Sequence, residues 1–163
     1  MSGHIFVMAP FTLSTVLSGD QTEGLRLHFP HGLPGFETSR QFVLRSQPSL
    51  SPFASLQSTD SADLCFLVVP VNALVADYSL WVSPEDLYTL RLDGAEALAE
   101  LTCLAILTVP ADGPITANLL APVVVNVARN IAVQAVRADT AYSHRHAILA
   151  LRPGFVRQAE ETC

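Results

Sequence analysis

The chain contains no lysine, because all nine of its basic residues are arginines. Mechanisms that depend on lysine are therefore excluded, among them Schiff-base formation, a lysine general base and the lysine of a phosphate-binding loop. Acidic residues outnumber basic ones by 15 to 9, which gives a net charge of −6. This balance opposes binding to a nucleic-acid backbone and suits a basic protein partner instead.

Cysteine is also scarce. Cys65, Cys103 and Cys163 are odd in number, far apart and without C-x-x-C spacing, which predicts neither a disulfide framework nor a zinc site. The pattern is typical of a protein from a reducing cytosol. Cys65 and Cys103 lie within apolar runs, so we expect both to be small buried residues of the core.

Charged residues make up only 15% of the chain, yet its apolar stretches do not predict a membrane span. The longest, residues 115–136, contains Asn126 and Arg129, and an arginine at the centre of a bilayer costs about 3 kcal/mol. No basic residue precedes Arg26, so the N-terminus lacks the positive region of a signal peptide. We therefore expect a cytoplasmic protein without a membrane partner.

The length of 163 residues predicts a single domain over residues 1–163. Residues 1–23 form either an N-terminal extension or a first strand in this interpretation. Residues 151–163 are expected to be a C-terminal tail and, like the N-terminus, loosely ordered.

Strand patterns dominate the rest of the chain. Short β-branched or aromatic runs, bounded by Pro, Gly, Asn, Asp or Ser, occur at residues 40–46, 64–71, 77–83 and 101–109. Alternating valines before and after Asn130 predict a hairpin that turns near that residue. The fold class expected is mainly all-β, a compact antiparallel β-barrel-like domain with one or two short helices.

One helix is clearly indicated after Ser83. That residue suits the N-cap, Pro84 suits the first helical position, and Gly94 suits the position beyond the end. The neighbouring acids Glu85 and Asp86 are explained by the helix dipole rather than by catalysis. Residues 95–101 have helical propensity but are too few to decide.

The stretch "GLPGFE" at residues 32–37 predicts a stiff turn. Pro34 and Gly35 suit the two central positions of a type II turn, and Gly32 permits a second bend just upstream. Such a turn either presents Phe36 and Glu37 to a partner at little entropic cost or lets Phe36 fold back into the end of the barrel. Both alternatives remain open at this point.

Patterns of catalysis and cofactor binding are missing from the sequence. There is no G-x-S-x-G, G-x-G-x-x-G or H-E-x-x-H motif, so neither an enzyme nor a cofactor is predicted. His144 and His146 could form a metal pair if extended, but no third ligand is indicated. Asn118 and Asn126 interrupt an apolar stretch, and we expect each amide to clamp a turn or a neighbouring strand.

Several motifs occur together in an order that resembles the FliW family of flagellar assembly factors. They are "GLPGFE" at 32–37, "LQS" at 56–58, Tyr78, "TANLLAPVVVN" at 116–126, Gln134 and "YSHRH" at 142–146. The resemblance covers residues 29–148, most of the chain. It implies a β-barrel-like protein of the bacterial cytoplasm without enzymatic activity.

The resemblance also implies two alternative partners, flagellin and the translational regulator CsrA. In this family the factor binds newly made flagellin; once flagellin is exported, the freed factor captures CsrA and relieves repression of flagellin translation. The residues expected at a partner-binding surface are Leu33, Gly35, Phe36, Glu37, Gln57, Ser58, Asn118 and Asn126. A barrel that binds a small apolar ligand is the alternative, motivated by the aliphatic composition.

Overall fold

The computed structural model describes residues 4–5, 24–92, 101–136, 141–148 and 154–163. The strands in these ranges are β1 (His4–Ile5), β2 (Leu25–His28), β3 (Gln41–Ser46), β4 (Ala54–Ser58), β5 (Cys65–Pro70), β6 (Leu80–Trp81), β7 (Leu101–Thr108), β8 (Thr116–Ala117), β9 (Val123–Asn126), β10 (Ile131–Gln134) and β11 (His146–Ala147). The helices are α1 (Pro84–Thr89) and α2 (Phe155–Thr162), and short 3-10 turns occupy Pro48–Leu50 and Val71–Ala73.

Seven strands close into a barrel in the order β7-β5-β4-β3-β2-β10-β9, with β9 bonded back to β7. Neighbouring strands are antiparallel except for β2 and β10, which run parallel where His28 pairs with Ile131. The backbone N–H of His28 donates to the Asn130 carbonyl at 2.9 Å beside this parallel seam. The predicted barrel of mainly β structure is confirmed, with this one pair as the exception to antiparallel order.

Alternate residues of the seven strands fill the barrel interior. Phe42 and Leu44 of β3 are each 1% exposed, as are Leu27 of β2 and its loop neighbour Leu33. Leu33 comes from the loop after β2 and joins this interior cluster at the end of the barrel where β2 stops. Side chains, rather than an open cavity, therefore occupy the space between these strands.

A second layer covers part of the outer surface of the barrel. Outward residues of β5, β7, β9 and β10 pack against the segment from the second 3-10 turn to α1 and against residues 115–119. Leu80, Val82 and Leu90 in this layer are fully buried. Both faces of β7 are consequently apolar, which explains its nearly unbroken run "LTCLAILT".

The structure confirms most of the predicted strands. Residues 40–46, 64–71 and 101–109 contain β3, β5 and β7, and β9 and β10 form the predicted hairpin. Asn130 has a φ of 54°, the left-handed conformation that such a turn requires. The prediction for residues 77–83 was too long, because β6 is only Leu80–Trp81: Tyr78 lies in a turn before it and Ser83 caps a helix after it.

The predicted helix begins where the sequence indicated but ends early. The Ser83 side chain accepts a hydrogen bond from the Asp86 N–H at 3.0 Å, which confirms the N-cap. The helix stops at Thr89, and Arg91, with a φ of 53°, takes the left-handed position that we had expected at Gly94. Residues 93–100, with Gly94 and most of the undecided 95–101 segment, lie outside the described residues.

The cysteine prediction was wrong for Cys65. Cys103 is a buried core residue as expected, but Cys65 is only partly buried and forms a disulfide with Cys163, with a Cα–Cα distance of 5.5 Å. The two cysteines are 98 positions apart and gave no indication of a pair, because the contact is created when the C-terminal residues fold back onto β5. The predicted loosely ordered tail accordingly contains α2, with Phe155 buried against the core.

Candidate functional site

The turn at residues 33–36 has the conformation that the sequence predicted. The Phe36 N–H donates to the Leu33 carbonyl at 2.7 Å, and Gly35 has a φ of 86°. A positive φ at the third residue is what a type II turn demands. Gly32, with a φ of 63°, makes the second bend upstream. The two glycines thus fix the path of the backbone around Phe36.

The structure decides between the two alternatives for Phe36. Leu33 rather than Phe36 enters the barrel end, where it is 1% exposed. Phe36 stays at the surface with 43% of its area accessible. The turn therefore anchors itself through the leucine and leaves the aromatic ring free to contact another molecule on its open side.

An aromatic series links the exposed ring to the barrel interior. The ring of Phe36 packs edge-on against Phe66 with centroids 5.5 Å apart. Phe66 lies 6.4 Å from Phe42, which in turn contacts Phe29 edge-on at 4.9 Å. Aromatic pairs of this kind hold their orientation through quadrupole interactions and buried area. Phe36 is consequently positioned by the core although it is itself half-exposed.

Glu37 stabilises the turn from its C-terminal side. Its Oε1 accepts a hydrogen bond from the Gly35 N–H at 3.0 Å. This bond, together with one from the backbone of Glu37 itself, lowers the pKa of the exposed carboxyl below 4.5. The ionised side chain therefore belongs to the turn and places a negative charge beside Phe36.

A groove of about 640 Å³ lies beside this turn. One wall is formed by Leu33, Pro34 and Phe36 of the turn. Phe66 of β5 and Ile106 of β7 are among the residues that continue the apolar part of the lining. Apolar residues from three separate segments of the chain therefore meet around one concave surface.

The remaining lining residues are mostly polar. They include Thr116 of β8, Asn118 just after it, Gln134 of β10, and His144 and Arg145 from the segment before β11. Among the described residues that line the groove, none is acidic, and His144 and Arg145 are the groups able to carry charge. The groove therefore offers an apolar surface with Arg145 in its polar lining, while the Glu37 carboxylate lies outside the lining, next to Phe36 in sequence.

Asn118 and Gln134 fix the backbone behind the groove. The Asn118 Oδ1 accepts hydrogen bonds from the N–H groups of Leu120 at 3.1 Å and Ala121 at 3.0 Å. The Gln134 Nε2 donates to the Ala121 carbonyl at 2.9 Å. The prediction that Asn118 clamps a turn is confirmed, and the same amide also lies on the groove surface.

Two tyrosines from the family-like motifs meet behind this segment. The Tyr78 hydroxyl donates to the Leu119 carbonyl at 2.6 Å, and its ring stacks on Tyr142 at 4.3 Å. The Tyr142 hydroxyl accepts a hydrogen bond from the Ser79 N–H at 2.9 Å. This pair ties "TANLLAP" and "YSHRH" to the outer layer and holds that side of the groove.

Gln57 and Ser58 do not reach the groove. The Gln57 Nε2 donates to the carbonyls of Ala62 at 3.1 Å and Leu64 at 2.9 Å, across the loop between β4 and β5. The Ser58 Oγ accepts from the N–H groups of Asp60 and Ser61 at 3.1 and 3.0 Å. These side chains shape the β4–β5 hairpin, and Ser58 is itself buried.

Asn126 is also distant from the groove lining. It is 2% exposed, and its Nδ2 donates to the Leu90 carbonyl at 2.8 Å. This bond clamps the end of α1 to β9, as the sequence predicted for a buried amide. Its Oδ1 is the one buried side-chain polar atom without a hydrogen-bond partner in the described part of the chain.

The structure thus gathers some of the predicted partner-binding residues and separates others. Leu33, Phe36 and Asn118 line the groove, with Gly35 and Glu37 in the same turn, whereas Gln57, Ser58 and Asn126 have structural contacts elsewhere. Phe66 and Ile106 were missed, because nothing in an apolar strand run distinguishes a groove-lining residue from a core residue. His144 and Arg145 belonged to a quoted motif but not to the predicted surface.

The histidines of "YSHRH" separate in the structure. His144 lies in the groove lining, while His146 pairs with Ala117 in the β8–β11 ladder. Within the described ranges no cluster of three His, Cys, Asp or Glu side chains is placed to hold a metal ion. Nor does any helix of those ranges have the length and apolar character needed to cross a membrane.

Comparison with known sequences identifies the family. The family model described as "FliW protein" matches residues 14–148. The chain is similar to the flagellar assembly factor FliW of Desulfitobacterium hafniense strain Y51, with 37% identity over 120 residues, 74% of this chain and 78% of the relative. A FliW from Geotalea uraniireducens strain Rf4 is 34% identical over 127 residues, 78% of this chain and 76% of that protein.

Comparison with solved structures agrees. The chain resembles the crystal structure of the flagellar assembly factor FliW with a TM-score of 0.68 and 29% identity. The matched region covers 78% of this chain and 88% of that structure. The chain therefore shares its fold with a solved FliW structure.

Proposed function

This chain belongs to the FliW family of flagellar assembly factors, and we propose that it acts without catalysis, by binding flagellin in the cytoplasm and antagonising the translational regulator CsrA. The single observation that carries the proposal is the convergence of family-like motifs on one groove. The turn at 33–36, the "TANLLAP" segment and the "YSHRH" segment all contribute to its lining.

The groove suits a segment of protein rather than a small molecule. The barrel interior contains a cluster of almost fully buried apolar side chains, which argues against the alternative of an enclosed apolar ligand. The groove itself is open and apolar on one side, with Arg145 in its polar lining. These features fit an amphipathic segment of a partner protein. Its apolar face would pack into the groove, and an acidic group would pair with Arg145.

Phe36 is the residue expected to contribute most to binding. Its ring is held by Phe66 and is still 43% exposed, so a partner can bury it without rearranging the turn. Aromatic residues of this kind dominate the energetics of many interfaces. Leu33, Gly35, Glu37 and Asn118 would then act mainly by fixing the surface, as Gln57, Ser58 and Asn126 would from further away.

CsrA enters the proposal through partner exchange. Binding of flagellin and of CsrA would be mutually unfavourable, so that export of flagellin frees the factor to capture the regulator and relieve repression of flagellin translation. The net charge of −6 supports an encounter with a basic partner. By linkage, flagellin must weaken CsrA binding by the same factor as CsrA weakens flagellin binding.

The test is isothermal titration of the protein with flagellin from the same genome, alone and after saturation with CsrA. We expect saturable flagellin binding that CsrA weakens. Binding of flagellin without any effect of CsrA would overturn the exchange mechanism. Absence of flagellin binding would overturn the main proposal.

A matched pair of variants tests the groove. Phe36→Ala should weaken flagellin binding about tenfold or more, the effect typical of an aromatic hot spot. Tyr88→Ala removes an aromatic ring that is 86% exposed and outside the groove lining, so it should leave the affinity unchanged. Equal affinities for the two variants, with both folded by circular dichroism, would remove the groove from the mechanism.

A further inference from the structure

The Cys65–Cys163 disulfide lies next to the groove, and we propose that it is a reversible thiol–disulfide site that controls how much apolar surface the groove offers. Exchange with a cellular dithiol would free the C-terminal turn of α2 from the barrel and extend the groove toward β5 and β7. The effect on partner binding rests on the proposed function, whereas the release of α2 does not.

Helix α2 is held to the barrel at both ends. At its start, Phe155 is 5% exposed and its ring lies 4.5 Å from that of Phe53. At its end, Cys163 is bonded to Cys65 of β5. Beside the cross-link lies an open cavity of about 240 Å³, lined in part by Glu160 of α2 and Leu107 of β7. The cross-link therefore holds the C-terminal turn of the helix against β5.

Phe66 connects this cavity with the groove. It follows Cys65 directly in β5, and its side chain lines both concave regions. It is also the ring against which Phe36 packs. When the C-terminal turn of α2 moves away, the helix side of Phe66 becomes accessible together with Leu67 and Leu107. The two regions then join into one longer apolar surface that ends at Phe36.

The cross-link is open to attack by a reductant. Cys163 is exposed and Cys65 is partly exposed, whereas Cys103 is buried. A thiolate of a thioredoxin-like dithiol attacks one sulfur and forms a mixed disulfide, and its second thiolate then displaces the remaining thiol of this chain. The protein gains two electrons and two protons as two thiols, and the dithiol becomes a disulfide. Cytosolic disulfides are usually transient or redox-sensing.

The C-terminal half of this thiol–disulfide site lies beyond the family match. Cys65 lies inside the matched residues 14–148, but α2 and Cys163 follow them. The helix therefore adds a removable cover to the common barrel. In the oxidised protein the cover is fixed and limits the surface available to a partner. In the reduced protein Phe155 still holds the start of the helix, but its C-terminal turn is released, so that a partner can displace it.

The first experiment uses no partner. The full-length protein is oxidised with glutathione disulfide or reduced with a dithiol, and mass spectrometry after alkylation counts its accessible thiols. Hydrogen exchange then compares the two forms, and we expect the amides of α2 to exchange at least about tenfold faster after reduction, as locally opened structure does. The variant Cys163→Ser should behave as the reduced protein under both conditions.

Two results would overturn the release of α2. One is failure of Cys65 and Cys163 to pair under mild oxidation. The other is equal exchange of α2 in the oxidised and reduced forms. A response of Cys163→Ser to the reductant would likewise assign the effect to a different thiol and reject the site.

The second experiment measures flagellin binding to both redox forms. We expect the reduced form to bind about tenfold more tightly, a difference that titration resolves easily. Equal affinities would overturn control of the groove by the disulfide. If neither form binds flagellin, the proposed function fails, while the exchange result still decides whether the thiol pair releases the helix.

Discussion

Gly32 and Gly35 both adopt a positive φ, but their surroundings differ. A Cβ added to Gly32 would lie 2.7 Å from the Glu37 Cα and 2.8 Å from the Phe36 carbonyl oxygen, both in the backbone. A Cβ added to Gly35 would meet nothing within 4 Å. Gly32 is therefore required by both conformation and space, and Gly35 by conformation alone.

This difference predicts unequal effects of two alanine substitutions. Gly35→Ala should lower the free energy of unfolding by about 1–2 kcal/mol, the cost of a left-handed conformation for a residue with a Cβ. Gly32→Ala should cost more, since the backbone of the turn must also shift. Urea unfolding of the two variants gives the comparison. A loss for Gly35→Ala equal to or greater than that for Gly32→Ala would contradict it.

The carboxylate of Glu37 predicts a pH dependence of the turn. Hydrogen bonding from the Gly35 N–H lowers its pKa in the folded protein below 4.5, so the stabilisation is present above pH 4.5 and is lost as the pH falls through the folded pKa. The Gly35 amide resonance should therefore titrate with a midpoint below 4.5. Glu37→Gln should abolish this step. A midpoint at or above 4.5 in the unmodified protein would disprove the assignment.

The roles of individual residues were predictable from sequence where the local backbone geometry determines them. The two bends of the turn and the clamp made by Asn118 follow from the properties of proline, glycine and short amides. The choice between burying Leu33 and burying Phe36 did not follow, because it depends on Phe66, which is distant in sequence and becomes a neighbour only when β5 enters the barrel. The surface predicted at Ser58 and Asn126 failed to reach the groove for the same reason.

Two parts of the second layer are tied to distant segments by hydrogen bonds from side chains. The Tyr78 hydroxyl ties the segment before β6 to Leu119, and the Asn126 amide ties the end of α1 to β9. In both cases a side chain satisfies a backbone carbonyl that lies outside a regular ladder. The positions of these elements are thus fixed by polar contacts as well as by the outer apolar layer.

Tyr78→Phe should loosen one of these attachments without opening a cavity. The ring stays stacked on Tyr142, but the Leu119 carbonyl loses its hydrogen bond in a buried setting, which costs about 1–3 kcal/mol. Thermal unfolding gives the stability, and hydrogen exchange of residues 116–121 locates the change. Unaltered stability would indicate that water replaces the hydroxyl. Tyr88→Phe, at an exposed position, is the control.

Helices and strands were predictable where particular residues mark their ends. Ser83 and Pro84 identified the start of α1, and Asn130 identified the turn between β9 and β10. The end of α1 was misplaced because Arg91 adopts a conformation usually taken by glycine. The strand in the structure is shorter than the one predicted at 77–83, because Tyr78 and Ser83 make hydrogen bonds outside the β-ladder.

At the scale of the whole molecule, the disulfide joins the start of β5 to the end of the described chain. It joins residues 98 positions apart and closes a loop that contains most of the second layer. Such a cross-link reduces the number of conformations open to the unfolded chain. Its contribution to stability therefore comes from the unfolded state as much as from contacts of α2.

Reduction should accordingly destabilise the protein. We expect the free energy of unfolding to fall by about 2–4 kcal/mol, the usual contribution of a native disulfide. Guanidinium unfolding of the oxidised and the reduced protein measures the difference. Cys163→Ser should have the same stability with and without the reductant. Equal midpoints for the two forms of the unmodified protein would contradict the expectation.

The barrel architecture was largely predictable from the sequence, but the Cys65–Cys163 disulfide was not. Alternating apolar runs of strand length, separated by turn residues, predicted the barrel, because such strands bury their apolar faces only when they pair and curve. The same runs concealed Cys65, which reads as one more small apolar residue. The pairing with Cys163 depends on where α2 packs against the barrel. No sequence pattern near either cysteine predicts that contact.

The parallel seam between β2 and β10 has a consequence for biosynthesis. Strands β2 to β5 can pair with one another as they leave the ribosome, but β2 keeps an open edge until β10 has been made near the end of the barrel sequence. An open edge is a template for unwanted pairing between nascent chains. The high contact order of this last step also makes closure slow. Crowded polysomes and early termination are therefore the conditions under which this protein is most exposed to aggregation.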